Sequence, residues 1–187
     1  MKGQTIAIVM GYGVPPDIFT DGNYQRYLTA VAEQIAARQI NTIVLCGGNT
    51  NIYYPEKFEA NEMQKLLCRT LDGIPCIREF MCVPVNTTIT SWENLEAAAK
   101  AAERMEANRA VIFCEKTRQS KVWLIAKACL PYEFEVIGVD FDATRNWSKD
   151  VKQFAAIFLT ALEWLFPPLR QISYRRQLRH IIRSSKK

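Results

Sequence analysis

Histidine is nearly absent from this chain: the sole example, His180, lies close to the C-terminus. Nucleophile-base chemistry of the Ser-His or Cys-His kind needs an imidazole within hydrogen-bond reach, so histidine catalysis in the body of the chain is all but excluded. Any acid-base role then falls to Glu62, Glu79, Glu93 or an aspartate, with Glu62 and Glu93 the catalytic candidates. Paired cysteines are also missing. The six present (Cys46, Cys68, Cys76, Cys82, Cys114, Cys129) occur singly, without a C-x-x-C pair or histidines at zinc-ligand spacing. No metal is expected, and the thiols read as small apolar residues in a reducing compartment. Long hydrophobic runs are lacking too. The run Thr5 to Met10 is cut off by Gly11, too short for a signal-peptide core. The stretch Phe154 to Leu169 is broken by Glu163 and by Pro167-Pro168, below the roughly 20 residues that span a bilayer. A cytoplasmic protein is the expectation.

The last absence is of acidic residues at the end of the chain. Arg170, Arg175, Arg176, Arg179, Arg183, Lys186 and Lys187 have no acidic neighbour after Arg170. Of the 24 lysines and arginines, these seven leave 17 against 19 acidic residues, so the body carries about −2. That balance argues against a nucleic-acid partner; the basicity of the whole, +5, belongs to the tail.

What is present is alternation. Short β-branched runs at Thr5–Met10, Asn41–Cys46, Cys76–Phe80 (extending toward Val83), Arg109–Cys114 and Phe134–Asp140 alternate with helical patterns near 20–38, 56–71, 91–107, 117–129 and 148–165. Strands that are apolar throughout are covered on both faces. The pattern predicts an α/β protein: a three-layer Rossmann-like sandwich with a mainly parallel five-stranded sheet over residues 1–168, followed by a basic helical tail, 169–187. In the helix at 148–165, Val151, Phe154, Ala155, Phe158, Leu159, Leu162, Leu165 and Phe166 recur at helical spacing, which predicts an apolar face docked on the sheet.

Ligands of such sheets sit outside the carboxyl ends of the strands, where the strand order reverses, so the loops 11–19, 47–55, 81–90, 115–118 and 140–147 are the places to inspect. Gly11 and Gly13 let backbone amides approach a ligand, although a plain tight turn accounts for them equally, and Pro16 stands where a dinucleotide fingerprint has its third glycine. Gly47-Gly48-Asn49 offers a nest of amides for an anionic group, or simply an abrupt reversal of the chain. Glu62 lies in the first turns of the next helix. Thr90-Ser91-Trp92-Glu93 fits a capping box, which leaves Asn94 unexplained. Arg118 and Lys121, with Glu115 and Lys116, form a cationic group able to meet a phosphate or carboxylate, or a solvated helix start. Asp140 and Asp142 rank lower.

In series, Ile6-Ala7-Ile8-Val9-Met10-Gly11, Arg26, Ile43-Val44-Leu45-Cys46-Gly47-Gly48, Glu62-Met63, Gly73-Ile74-Pro75, Glu79 and Ser91-Trp92-Glu93-Asn94 resemble the domain-of-unknown-function family that includes YdcF, SanA and ElyC, over about residues 6–125. The resemblance implies that Arg26, Gly47, Gly48, Glu62, Glu93 and Asn94 converge on one pocket. Two departures stand out. The family's histidine and the arginine three residues on are here Arg118 and Lys121, and the spacing from Glu79 to Ser91 is longer.

The function expected is binding of a polar small molecule, nucleotide-like or S-adenosylmethionine-like, with an undetermined reaction if it is an enzyme. The alternative is a non-catalytic, cell-envelope-associated regulator or scaffold. Tyr174, Leu178, Ile181 and Ile182 share one helical face of the tail with arginines around them, the pattern of a helix lying on the inner face of a membrane or on an acidic partner, or packed on the domain with a frayed end.

Overall fold

The computed structural model describes residues 4–51, 53–74, 79–141 and 147–184. Five strands form one parallel sheet in the order β3-β2-β1-β4-β5: β1 Gln4–Met10, β2 Thr42–Cys46, β3 Met81–Val85, β4 Ala107–Glu115 and β5 Glu133–Val139. The helices are α1 Gly22–Ala37, α2 Glu59–Asp72, α3 Ser91–Arg104, α4 Gln119–Cys129, α5 Trp147–Leu165 and α6 Pro168–Ser184. The Rossmann-like sandwich expected from the alternation is the fold observed. The chain winds outward from β1 to β3, then crosses back to place β4 beside β1, so the order reverses between β1 and β4.

Period-two patterning divides the core. Ala7 and Val9 of β1, with Ile43, Leu45, Val111 and Phe113, meet Leu28, Val31 and Ile35 of α1 and Leu67 and Leu71 of α2. Ile6, Ile8 and Met10, with Val44, Ala110 and Ile112, meet Leu95 and Ala98 of α3 and Val122 and Ile125 of α4 on the other face. β1 and β2 are flanked on both sides and bury almost every side chain.

Local chemistry sets where the helices start. Asp21 caps α1 by accepting from the Tyr24 amide at 2.8 Å. Thr90 and Glu93 form the capping box of α3. α2 has no side-chain cap; its first amides, of Glu59 and Ala60, donate to the carbonyls of Gly48 and Gly47 at 3.2 and 2.9 Å.

Two expectations change. The third strand begins at Met81, and residues 79–80 before it are not strand; residues 76–78 lie outside the described residues. The apolar face expected for α5 is, among the described residues, largely turned outward. α5 packs against α4 and against the 3-10 turn Lys116–Arg118 that precedes α4, leaving Phe158 67%, Leu165 69% and Phe166 58% exposed. The side it turns inward carries Thr160 and Glu163, both buried. Of the tail face, Tyr174 and Leu178 are half-buried, while the side chains of Ile181 and Ile182 lie outside the description. Among the described residues no helix is long and apolar enough to cross a membrane.

A Cβ at Gly48 would overlap the carbonyl oxygen of Thr88, a backbone atom that cannot swing away. Gly48→Ala is expected to lose about 1–3 kcal/mol of stability in urea denaturation, and an unchanged midpoint would show that the two loops do not meet this closely.

Candidate functional site

A cavity of about 970 Å³ opens at the carboxyl ends of β1, β2 and β4, beside the reversal of strand order. Its floor is Gly11, Gly13, Gly47, Gly48 and Glu59; the start of α3 and the turn into α4 supply Ser91, Trp92, Asn94, Arg118 and Lys121. The far wall comes from α5 and α6, through Thr160, Glu163, Arg170 and Tyr174.

Glu59, 3% exposed, is the group around which the floor is built. Its carboxylate accepts hydrogen bonds from the Gly13 amide and the Tyr24 hydroxyl. A Cβ at Gly11 or at Gly47 would run into that carboxyl group, so both glycines are clearance for a buried acid. Gly13 takes φ +141°, a conformation that places its amide at Glu59 and that other residues rarely adopt. Burial pushes the pKa of Glu59 up, opposed by the bonds from Tyr24 and Gly13 and by the charge of Arg118. Burial, then the Glu59 charge, keeps Tyr24 well above its usual range, so the phenol stays a proton donor.

Arg118 closes the reversal point. One of its terminal nitrogens donates to the Gly11 carbonyl at 2.7 Å and the other to Ser91 Oγ at 3.1 Å, tying the β1 loop to the start of α3. Lys121 follows one turn later. Burial and the neighbouring Arg118 lower its pKa to about 8, against the raising influence of Glu163. Glu163 is held in place by Trp92 Nε1, which donates at 2.7 Å, and by the Ser173 hydroxyl. Arg170 lies 3.7 Å over the Trp92 ring and pairs with Glu96 at 3.0 Å. Burial raises the thiols of Cys46 and Cys114 to about 12, which removes them as nucleophiles. Among the described residues no group of three or more histidine, cysteine or acidic side chains is placed to hold a metal.

Of the residues singled out by sequence, Gly11, Gly13, Gly47, Gly48, Ser91, Glu93, Asn94, Arg118 and Lys121 line this cavity. Three do not. Arg26 is exposed and donates to the Phe141 carbonyl at 3.2 Å. Asn49 spends its amide on the carbonyls of Tyr54 and Pro55 within its own loop. Glu62, buried, pairs with Lys65 at 2.6 Å and does not line the cavity. Glu79 is exposed and Asp142 lies outside the described residues. The amide nest expected at the glycines is largely used internally: Gly11 donates to Cys46, Gly13 to Glu59 and Gly47 to Val85. Glu93 gives one carboxylate oxygen to the amides of Ile89 and Thr90 at 2.9 and 3.0 Å, and Asn94 Oδ1 accepts from Thr88.

Sequence reasoning missed Glu59, Tyr24 and Glu163. Glu59 precedes Glu62 by three residues, and only the tertiary fit of two distant glycines distinguishes them. Glu163 did carry a signal: it is the one charge in an apolar helical stretch, and Ala156, Leu159, Thr160 and Glu163 fall on one helical stripe.

No family model matches the chain, and no curated protein does. The fold is similar to the solved structure of a universal stress protein from Archaeoglobus fulgidus, at 14% identity and a TM-score of 0.42, covering 71% of this chain and 98% of that one. That is a likeness of fold alone. The resemblance to the YdcF, SanA and ElyC family is corrected: no family model supports the assignment. The residues agree, since Arg26 and Glu62, which that family pattern would bring into the pocket, stand outside it.

Because folded Glu59 holds its proton more tightly than the unfolded chain does, its contribution is most favourable below the unfolded glutamate value of about 4.3 and is lost as pH rises through its raised pKa. The stability of the wild type relative to Glu59→Gln is expected to fall over that window in urea denaturation series. A difference independent of pH would contradict the burial argument.

Proposed function

We propose that this protein binds a small polar ligand carrying a phosphate or carboxylate, nucleotide-like or S-adenosyl-like, in the strand-end cavity. One observation carries the reading. Arg118 and Arg170 are both engaged, yet Lys121 makes no hydrogen bond or ion pair among the described residues while facing the cavity. A partly desolvated ammonium without a partner is costly, and an anion beside Arg118 would supply one. The volume, about 970 Å³, suits a ligand of nucleotide size. Ser91 and Asn94 stand where hydroxyl or amine groups of such a ligand could be met. The reading is of binding, because the carboxylates expected to act as acid or base are occupied elsewhere: Glu62 with Lys65 and Glu93 in its cap.

A thermal-shift and calorimetric screen of nucleoside phosphates, S-adenosyl compounds and inorganic phosphate tests this. A ligand at 100 times its Kd stabilises by about 2.7 kcal/mol. Lys121→Met is expected to weaken a hit by about tenfold or more, the worth of one charge-assisted contact, while leaving the ligand-free protein at least as stable as wild type. No shift with any anion would sink the reading.

A second reading, of location, is carried by the outer side of α5 and α6. Phe158, Leu165, Phe166 and Ile172 are more than half exposed and Trp164 is 42% exposed, next to a helix with basic and no acidic residues. An apolar crest beside arginines fits the surface of an anionic bilayer. Co-sedimentation with vesicles containing phosphatidylglycerol, and not with phosphatidylcholine alone, is the expected result, reduced by the double substitution Leu165→Asp, Phe166→Asp. Binding that ignores lipid charge and the substitutions, or self-association through the crest in light scattering, would overturn it.

A further inference from the structure

We propose that Lys121 is a nucleophilic amine, which condenses with an aldehyde or ketone whose anionic group is held beside Arg118. This rests on the reading of the cavity as an anion site and names a substrate class for it. Three features of the cavity wall support the assignment. Lys121 is the cavity cation left without a hydrogen bond or ion pair among the described residues, so its nitrogen is not tied to another group. Arg118 lies one helical turn before it and uses each terminal nitrogen once, which leaves N–H groups for a carboxylate or phosphate. Glu163, whose charge acts on Lys121, is clamped by Trp92 and Ser173 and faces the same space.

The amine is also poised for the reaction. With its pKa lowered to about 8, roughly a tenth of Lys121 is neutral at pH 7, against fewer than one in a thousand of ordinary lysines. The neutral nitrogen adds to the carbonyl carbon, the π pair moves to oxygen, and the proton that the now cationic nitrogen gives up passes to that oxygen, leaving a neutral carbinolamine. The nitrogen lone pair then expels the hydroxyl group as water, and a protonated imine remains. Overall one ammonium and one carbonyl give one iminium and one water, with no oxidant or reductant. The proton released when the ammonium becomes an amine is the one returned to the departing hydroxyl, and Glu163, which lines the same cavity, is the carboxylate assigned to carry it.

Incubation of the full chain with glyoxylate and cyanoborohydride, followed by intact mass measurement and peptide mapping, tests the proposal. One reduced adduct at Lys121 is expected, formed at least tenfold faster at pH 7 than at surface lysines. Its rate should climb with pH toward a midpoint near 8, fall when inorganic phosphate is added, and fall with acetaldehyde in place of glyoxylate. Lys121→Arg should abolish it. Label spread over surface lysines overturns the proposal. Absence of an adduct, with the phosphate-dependent thermal shift intact, overturns the amine chemistry and leaves the binding site standing. An adduct at Lys121 that acetaldehyde forms equally fast and phosphate does not slow overturns the anion-directed part and the anion site with it.

Discussion

A carboxyl group shut away from water holds the strand ends of this protein together. Removing a glutamate from solvent is expensive unless donors surround it. Glu59 finds them in the Gly13 amide and the Tyr24 hydroxyl, which belong to the β1 loop and to α1. Its own amide and the next are capped by the Gly47-Gly48 carbonyls, which belong to the β2 loop. The start of α2 therefore ties together two loops and α1, and the Glu59 side chain fits only because Gly11 and Gly47 have no side chain to occupy its place. The glycines that look like an anion cradle are the negative image of an acid.

With the floor filled by a bonded acid, the chemistry of the cavity moves to its other side. Arg118 bridges the Gly11 carbonyl and Ser91 across the reversal of strand order, so the turn into α4 is anchored and Lys121 is carried to the cavity wall. α5 completes that wall in an inverted manner, with Thr160 and Glu163 inward and Phe158 and Trp164 outward. Arg170 over Trp92 and Ser173 on Glu163 tie α6 to α3 and to α5 by polar contacts. A helix pair attached in this way leaves its apolar surface available for something else.

The sheet was legible in the sequence because buried parallel strands write themselves as continuous apolar runs, and β1, β2 and β4 do so within a residue or two. The edge strand β3, half-buried and interrupted by Pro84, does not, and its start was misjudged. The capping box of α3 was readable because it is local, spanning Thr90 to Glu93. Glu59 was not, because its distinction from Glu62 depends on gaps at Gly11 and Gly47 that only the folded sheet brings together. The face of α5 was misread for a related reason. Helical periodicity finds an apolar stripe but cannot say whether that stripe meets the sheet or faces away, and the lone Glu163 was the clue to the second answer.

Counted as charges, the cavity wall favours a cation: Glu59, Glu93, Glu96, Glu115 and Glu163 outnumber Arg118, Lys121 and Arg170. Counted as unmet partners, the preference reverses. Glu59 has Tyr24 and Gly13, Glu93 has the amides of its cap, Glu96 has Arg170, Glu115 accepts from Thr117 at 2.7 Å and Glu163 has Trp92 and Ser173. An acid already surrounded by donors gains little from a further cation, whereas an ammonium left without a partner gains most from an anion. On the proposed reading of the cavity, its recognition element is Lys121, the wall cation that makes no hydrogen bond or ion pair among the described residues.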